Sequence, residues 1–333
     1  MKGWSVAHRC VIPGLILLLP LVACLSGCSK TGSSLPKPKI AILEDKPLEW
    51  AAEMKDGFRF GLVQKGIDVE TVSRSAKGDP KTLSAISEEF IKGDYKLIYS
   101  LGTQATKEAF HQTKTRPIIF GAVTDPVKAG LFAADLEHPL GNITGTVDLW
   151  PYSAQFDLIR AILPKLKKIG IVYNSNESNS QVSVKYIEAE CRKRNIRFVE
   201  KTATTVPEVQ KAVNALLNES IDLLFIPSDN TVQAASGYII ESCQAKNVPV
   251  FTGVCEIVEK GALAAVGVNY YELGDANAQQ AAEILLNGKK AGEVPVVVEE
   301  KGNICVNLKA AKNLGISVPK EILGKASKIY QYQ

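Results

Sequence analysis

Histidine is scarce in this chain, with three in 333 residues: His8, His111 and His138. None stands in a carboxylate or cysteine signature. The sequence also lacks a G-x-S-x-G elbow, a Walker-type loop, a G-x-G-x-x-G turn and an H-E-x-x-H pair. The common signatures of hydrolase, nucleotide and zinc-protease chemistry are missing, so the chain reads as a non-enzyme with no cofactor. The seven cysteines never take C-x-x-C spacing, and no metal site is expected. A dominant charge is missing too. The formal net charge is +4, the charges are scattered singly, and no basic stripe carries interleaved aromatics. Nucleic acid is therefore not an expected partner. Long apolar runs are confined to Val11–Ala23, which Pro13, Gly14 and Pro20 interrupt. It is too short and too broken for a membrane span.

What that N-terminus does contain is a secretory pattern. Lys2 and Arg9 supply a basic start, the apolar stretch follows, and Leu25-Ser26-Gly27-Cys28 closes it. The tetrapeptide resembles the bacterial lipobox, in which the cysteine is lipidated and becomes the new N-terminus. The expected division is a signal over 1–27 and a polar, proline-broken tether over 28–38. Cys10 and Cys24 leave with the signal. Cys191, Cys243, Cys255 and Cys305 are expected as buried free thiols; export permits a disulfide without signalling one.

The remaining residues alternate short apolar runs with helical segments. The runs are Ile40–Leu43, Leu97–Tyr99, Ile118–Val123, Ile169–Tyr173, Leu223–Ile226, Val248–Phe251 and Ala262–Val268. Apolar on both alternating positions, they suit parallel strands covered on both faces. Asp79-Pro80 opens one helix, and Thr205 with Glu208 forms a capping box for another. From Ile40, further strands begin at offsets of about 29, 57 and 78; from Ile169 the offsets are about 29, 54 and 79. The same ruler twice predicts an α/β chain of two similar doubly wound parallel-sheet lobes.

Ligands of open parallel sheets sit beyond the carboxyl ends of the strands. The polar residues there are Glu44-Asp45, Gly102-Thr103-Gln104, Thr124-Asp125, Asn174 to Ser180, Ser228-Asp229-Asn230 and Asn269-Tyr270-Tyr271. Each alone reads better as a helix cap. Spread over both halves, they point to a crevice between lobes.

Five segments carry a family resemblance: Thr124-Asp125-Pro126-Val127, Gly141 to Gly145, Lys168 to Asn174, Pro227 to Val232 and Gly267 to Gly274. In this order they resemble the ABC importer substrate-binding lipoproteins that include the tryptophan- and tyrosine-binding ones. The resemblance runs from Lys39 to the Asn307–Ala311 segment. It implies a type I periplasmic-binding-protein fold with a three-crossover hinge near Val147-Asp148, Val268-Asn269 and Glu299 to Lys301. Lobe one is then 39–147 plus 269–300, and lobe two is 148–268 plus 301–333. It further implies a small-molecule ligand, an ABC permease with its ATPase as partner, and membrane attachment through lipid on Cys28. Two departures bear on the ligand: Lys46-Pro47 where the family often has histidine-proline, and Val254-Cys255-Glu256 where it often has acidic or hydroxyl residues.

A zwitterionic amino acid, aromatic by preference, is the expected ligand. Its carboxylate suits Thr103 and Ser180 with helix N-termini behind them. Its ammonium suits Asp229 first and Asp125 second. Gln104, Thr124, Asn174, Ser228, Asn230 and Asn269 complete the polar lining. Tyr270 is a stacking candidate, and Trp150 and Tyr152 serve either as stacking rings or as hinge packing. A small peptide or purine-like ligand, or a sensor lipoprotein without an importer, stays open at this stage.

Overall fold

The computed structural model describes residues 37–132, 135–139, 141–299 and 302–331. The expected signal, Cys28, the tether as far as residue 36, and Lys301 lie outside the described residues. In chain order the strands are β1 (Lys39–Glu44), β2 (Glu70–Ser75), β3 (Leu97–Leu101), β4 (Ile118–Gly121), β5 (Ile143–Val147), β6 (Lys168–Tyr173), β7 (Arg197–Thr202), β8 (Leu223–Phe225), β9 (Val250–Thr252), β10 (Ala264–Gly267), β11 (Val297–Val298), β12 (Asn303–Asn307) and β13 (Lys328–Tyr330).

They form two sheets. The first runs β11-β5-β4-β3-β1-β2 and the second β13-β12-β10-β9-β8-β6-β7. Each contains the same inner order, with the first strand of its half between the second and the third. All pairings are parallel except β10 with β12. The two α/β lobes expected from the repeated spacing are present, because helices cover both faces and every inner strand is buried. In β1, for example, Ile40 to Leu43 are wholly inaccessible. The edge strands β2 and β7 read Glu-Thr-Val-Ser-Arg-Ser and Arg-Phe-Val-Glu-Lys-Thr and stay partly exposed. Polar edges of this kind blunt pairing with other chains.

β5 is missing from the apolar runs, since it reads Ile-Thr-Gly-Thr-Val, yet it is buried throughout. Its threonines are buried because both are partnered: Thr144 donates to the Val294 carbonyl at 2.7 Å and Thr146 to Asn277 Oδ1 at 3.2 Å. Helix caps follow the sequence closely. Asp79 accepts from the Thr82 N–H at 2.9 Å. Thr205 accepts from the Glu208 N–H at 3.4 Å, while the Glu208 carboxylate reaches back one residue further, to the Thr204 N–H at 2.7 Å.

Two contacts position the cleft. Helix Glu49–Gln64 crosses helix Tyr270–Leu285 backbone on backbone, because a side chain at Gly57 or Gly274 would overlap the carbonyl oxygen of Tyr271 or Met54. The crossing fixes Trp50 against Tyr270. Cys255 and Cys305 form a disulfide, with Cα atoms 5.5 Å apart. This corrects the expectation of four free thiols. Sheet pairing brings β12 beside β10, and β10 beside the β9 end that leads to Cys255, a proximity no local spacing announces. Cys191 and Cys243 are buried and free, and burial pushes both thiols up to about 12.

Candidate ligand-binding site

The carboxyl ends of both sheets face each other across a narrow gap with about 240 Å³ of space not filled by atoms. Its lining comes from both lobes. After β3 the chain turns at Gly102, whose φ of 80° suits glycine. A side chain there would also press on the Trp50 ring. Thr103 follows at the start of helix Thr103–Gln112, 2% exposed, its hydroxyl without a partner. After β4, Ala122 holds a φ of 55°, a strained conformation for a residue with a side chain and of a kind that gathers at functional sites. Thr124 lies two residues on.

Asp148 stands where the chain leaves the first sheet. It is 4% exposed and, among the described residues, is the one acidic or basic residue lining the gap. Thr124 Oγ1 donates to it at 2.9 Å and the Tyr270 hydroxyl at 3.3 Å. Trp150 Nε1 donates in turn to the Tyr270 oxygen at 3.2 Å. Thr124 Oγ1 also lies 3.2 Å from Ser228 Oγ of the other lobe. Since the Thr124 proton is committed to Asp148, Ser228 is the donor across the cleft. Burial pushes the Asp148 carboxyl up to about 6, against the opposing pull of the two hydroxyls. Trp50 and Tyr270 form the aromatic wall, ring centroids 5.4 Å apart.

Lobe two presents Asn179, Ser228, Asn230 and Gln233. Behind them lies a second tier of carboxylates. Asp229 is fully buried and accepts from the Asn174 N–H at 2.5 Å, Ser180 Oγ at 2.6 Å and the Val232 N–H at 2.8 Å. Burial, and then the nearby Glu177 carboxylate, push Asp229 up to about 7. Glu177 accepts from Asn230 N at 3.0 Å and Thr231 Oγ1 at 2.7 Å. Among the described residues no cluster of histidine, cysteine and acidic side chains is placed to hold a metal.

Of the residues singled out in the sequence, Thr103, Thr124, Ser228, Asn230 and Tyr270 line the gap. Gln104 and Asn174 line an outer groove at its side, with Asp45, Lys46 and Glu177. Asp229 and Ser180 do not line the gap: Ser180 Oγ donates to Asp229, whose carboxylate also accepts from the Asn174 and Val232 N–H groups. The Asp125 carboxylate accepts from the Lys128 N–H at 2.8 Å as a turn cap. Asn269 caps helix Tyr270–Leu285 and lines a separate pocket beside the disulfide. Tyr152 donates to Ser183 Oγ at 2.7 Å and stacks on Tyr186, and the Trp150 ring packs on Gly253. Trp50, Asp148, Asn179 and Gln233 escaped sequence reasoning. Asn179 lies within the polar stretch 174–180 and Asp148 directly after a buried run; for Trp50 and Gln233, inside helices, no local signal stands out.

The family model for ABC transporter substrate binding protein matches residues 40–330. The chain belongs to that family. This substrate-binding protein is 34% identical over 264 residues to a tyrosine-binding protein of Clostridioides difficile (strain R20291), covering 78% of this chain and 76% of that one. The solved ABC domain in complex with L-Trp from Streptococcus pneumonia overlays with a TM-score of 0.82 at 29% identity, covering 87% of this chain and 99% of the other. The ligand-free, open structure of a substrate binding protein with adhesive properties from Clostridium difficile gives 0.67 at 31% identity, covering 89% and 100%. At nearly equal identity, the better overlay with the complexed structure fits the narrow gap of this substrate-binding protein. Its architecture is the type I periplasmic-binding-protein fold.

Proposed function

We propose that this substrate-binding protein captures a zwitterionic aromatic amino acid, tryptophan or tyrosine, outside the cytoplasm and delivers it chemically unchanged to an ABC permease. The observation that carries the reading is the convergence of Asp148, the unpartnered Thr103 hydroxyl and the Trp50–Tyr270 ring pair on one narrow gap. Asp148 takes the ammonium. Thr103 Oγ1 and the first N–H groups of helix Thr103–Gln112 take the carboxylate, where the helix dipole favours an anion. The two rings hold the aromatic side chain.

The lobes close as 39–147 plus 269–300 against 148–268 plus 301–333, turning at the three places where the chain passes between sheets. Lipid on Cys28 holds the protein at the membrane. No helix among the described residues is long and apolar enough to cross one. Mass spectrometry of small molecules released on denaturing the purified protein tests the ligand. Tryptophan or tyrosine is expected, and a peptide or purine would defeat the assignment. Cys28→Ser is expected to release the protein from membranes; equal partitioning of both forms would defeat the anchor.

A further inference from the structure

The lobe-two wall carries two oxygens with no counterpart in the protein. Asn179 Oδ1 and Gln233 Oε1 are both buried and both unpartnered, on side chains 4% exposed. Their orientation is dictated by neighbours. Asn179 Nδ2 donates to the Ser228 carbonyl at 3.0 Å and to Glu177 Oε2 at 3.3 Å. Gln233 Nε2 donates to the Pro227 carbonyl at 3.1 Å. Turning either amide over would set its oxygen against a carbonyl or a carboxylate, so both oxygens remain unmet acceptors on residues that line the gap.

A buried acceptor is costly when unmet, and a ligand that fills the gap leaves these oxygens only its own donors. Lobe one and the chain passages supply the carboxylate Asp148, the hydroxyl of Thr103 and the rings. Lobe two therefore adds to the site two fixed demands for a donor. We infer that Asn179 and Gln233 are the specificity-determining pair of this clamp: they allow tight closure only over a ligand that presents N–H or O–H donors to lobe two. This rests on the amino-acid reading above and adds to it a rule about which analogues close the cleft. A ligand of the right shape without those donors would bind lobe one and leave two dry oxygens in the closed form.

The donors have two possible origins, the ammonium and the ring, and ligand analogues separate them. Tyrosine against phenylalanine removes a ring O–H without adding bulk. Tryptophan against 1-methyltryptophan removes the ring N–H, and against Nα-methyltryptophan removes one ammonium proton while keeping the charge. Calorimetry on the wild-type protein should show at least one removal weakening binding about 5- to 100-fold. In Gln233→Met or Asn179→Ala the same removal should cost less than about twofold, because the acceptor it served is gone. Equal losses in wild type and both variants, or no loss in any wild-type comparison, would overturn the inference while leaving the amino-acid reading intact. Failure of both parent amino acids to bind wild type would overturn the two together. The wild-type comparisons stand even if a variant does not fold.

Discussion

The Tyr270 hydroxyl donates to the Asp148 carboxyl at 3.3 Å, joining the residue at which the chain leaves the first sheet to the residue that opens the helix after the second. Both line the gap. The proposed ammonium partner thus sits where the lobes meet, and its position depends on how they are set. Asp148→Asn keeps the shape and removes the charge. Breaking a buried ion pair costs about 3–5 kcal/mol, so affinity for tryptophan or tyrosine should fall on the order of 10²- to 10³-fold. Calorimetry checks the loss. Melting of the ligand-free variant at pH 7 should be unchanged or higher, since a buried charge has been removed.

Proton linkage gives a pH prediction with two opposite signs. The Asp148 carboxyl is raised from 3.8 to about 6 in the folded protein. The stability it contributes is full below pH 3.8 and is lost as pH rises through about 6, because the folded state binds the proton more tightly than the unfolded chain. Asp229 and Glu256, each raised to about 7, extend the loss in the same direction. Ligand affinity should move the other way, rising from pH 5 to 7 as Asp148 ionises. Urea unfolding of the ligand-free protein and calorimetry across pH 4.5–7.5 test both slopes, and Asp148→Asn should flatten the affinity slope.

The Lys46 ammonium spans the cleft mouth. It lies 3.1 Å from Asp45 on its own lobe, and 3.4 Å from Thr231 Oγ1 and 3.7 Å from Glu177 on the other. The contacts with Thr231 and Glu177 need the two lobes close together, so their loss should appear in the off-rate. Lys46→Met is expected to speed ligand dissociation several-fold with a smaller change in association. Stopped-flow release from the preloaded protein measures it, and an unchanged off-rate would remove Lys46 from closure.

The Cys255–Cys305 disulfide closes a 50-residue span within lobe two. Restricting a loop of that length in the unfolded chain contributes about 2–4 kcal/mol. The double variant Cys255→Ser, Cys305→Ser should melt lower by several degrees while retaining ligand binding, because neither cysteine lines the ligand gap. Thermal melts with and without ligand check both parts.

The sequence by itself determined most of the inner strands, their order and the existence of two lobes, and missed β5, β11, β12 and β13. Apolar runs such as Ile40–Leu43 and Ile169–Tyr173 are buried on both faces, and that requirement is written locally, one residue at a time. It also brought Thr103, Thr124, Ser228, Asn230 and Tyr270 to notice, because a strand end is a position along the chain. It ranked Asp229 ahead of Asp125 and did not weigh Asp148, although all three follow a strand. Their difference lies in direction: one caps an exposed turn, one is consumed inside lobe two, and one faces the gap. Only the tertiary structure decided that, together with the disulfide and the Trp50–Tyr270 wall. The reason is physical. A carboxylate's role depends on which donors remain unspent around it, and those donors arrive from segments 24 to 122 residues away.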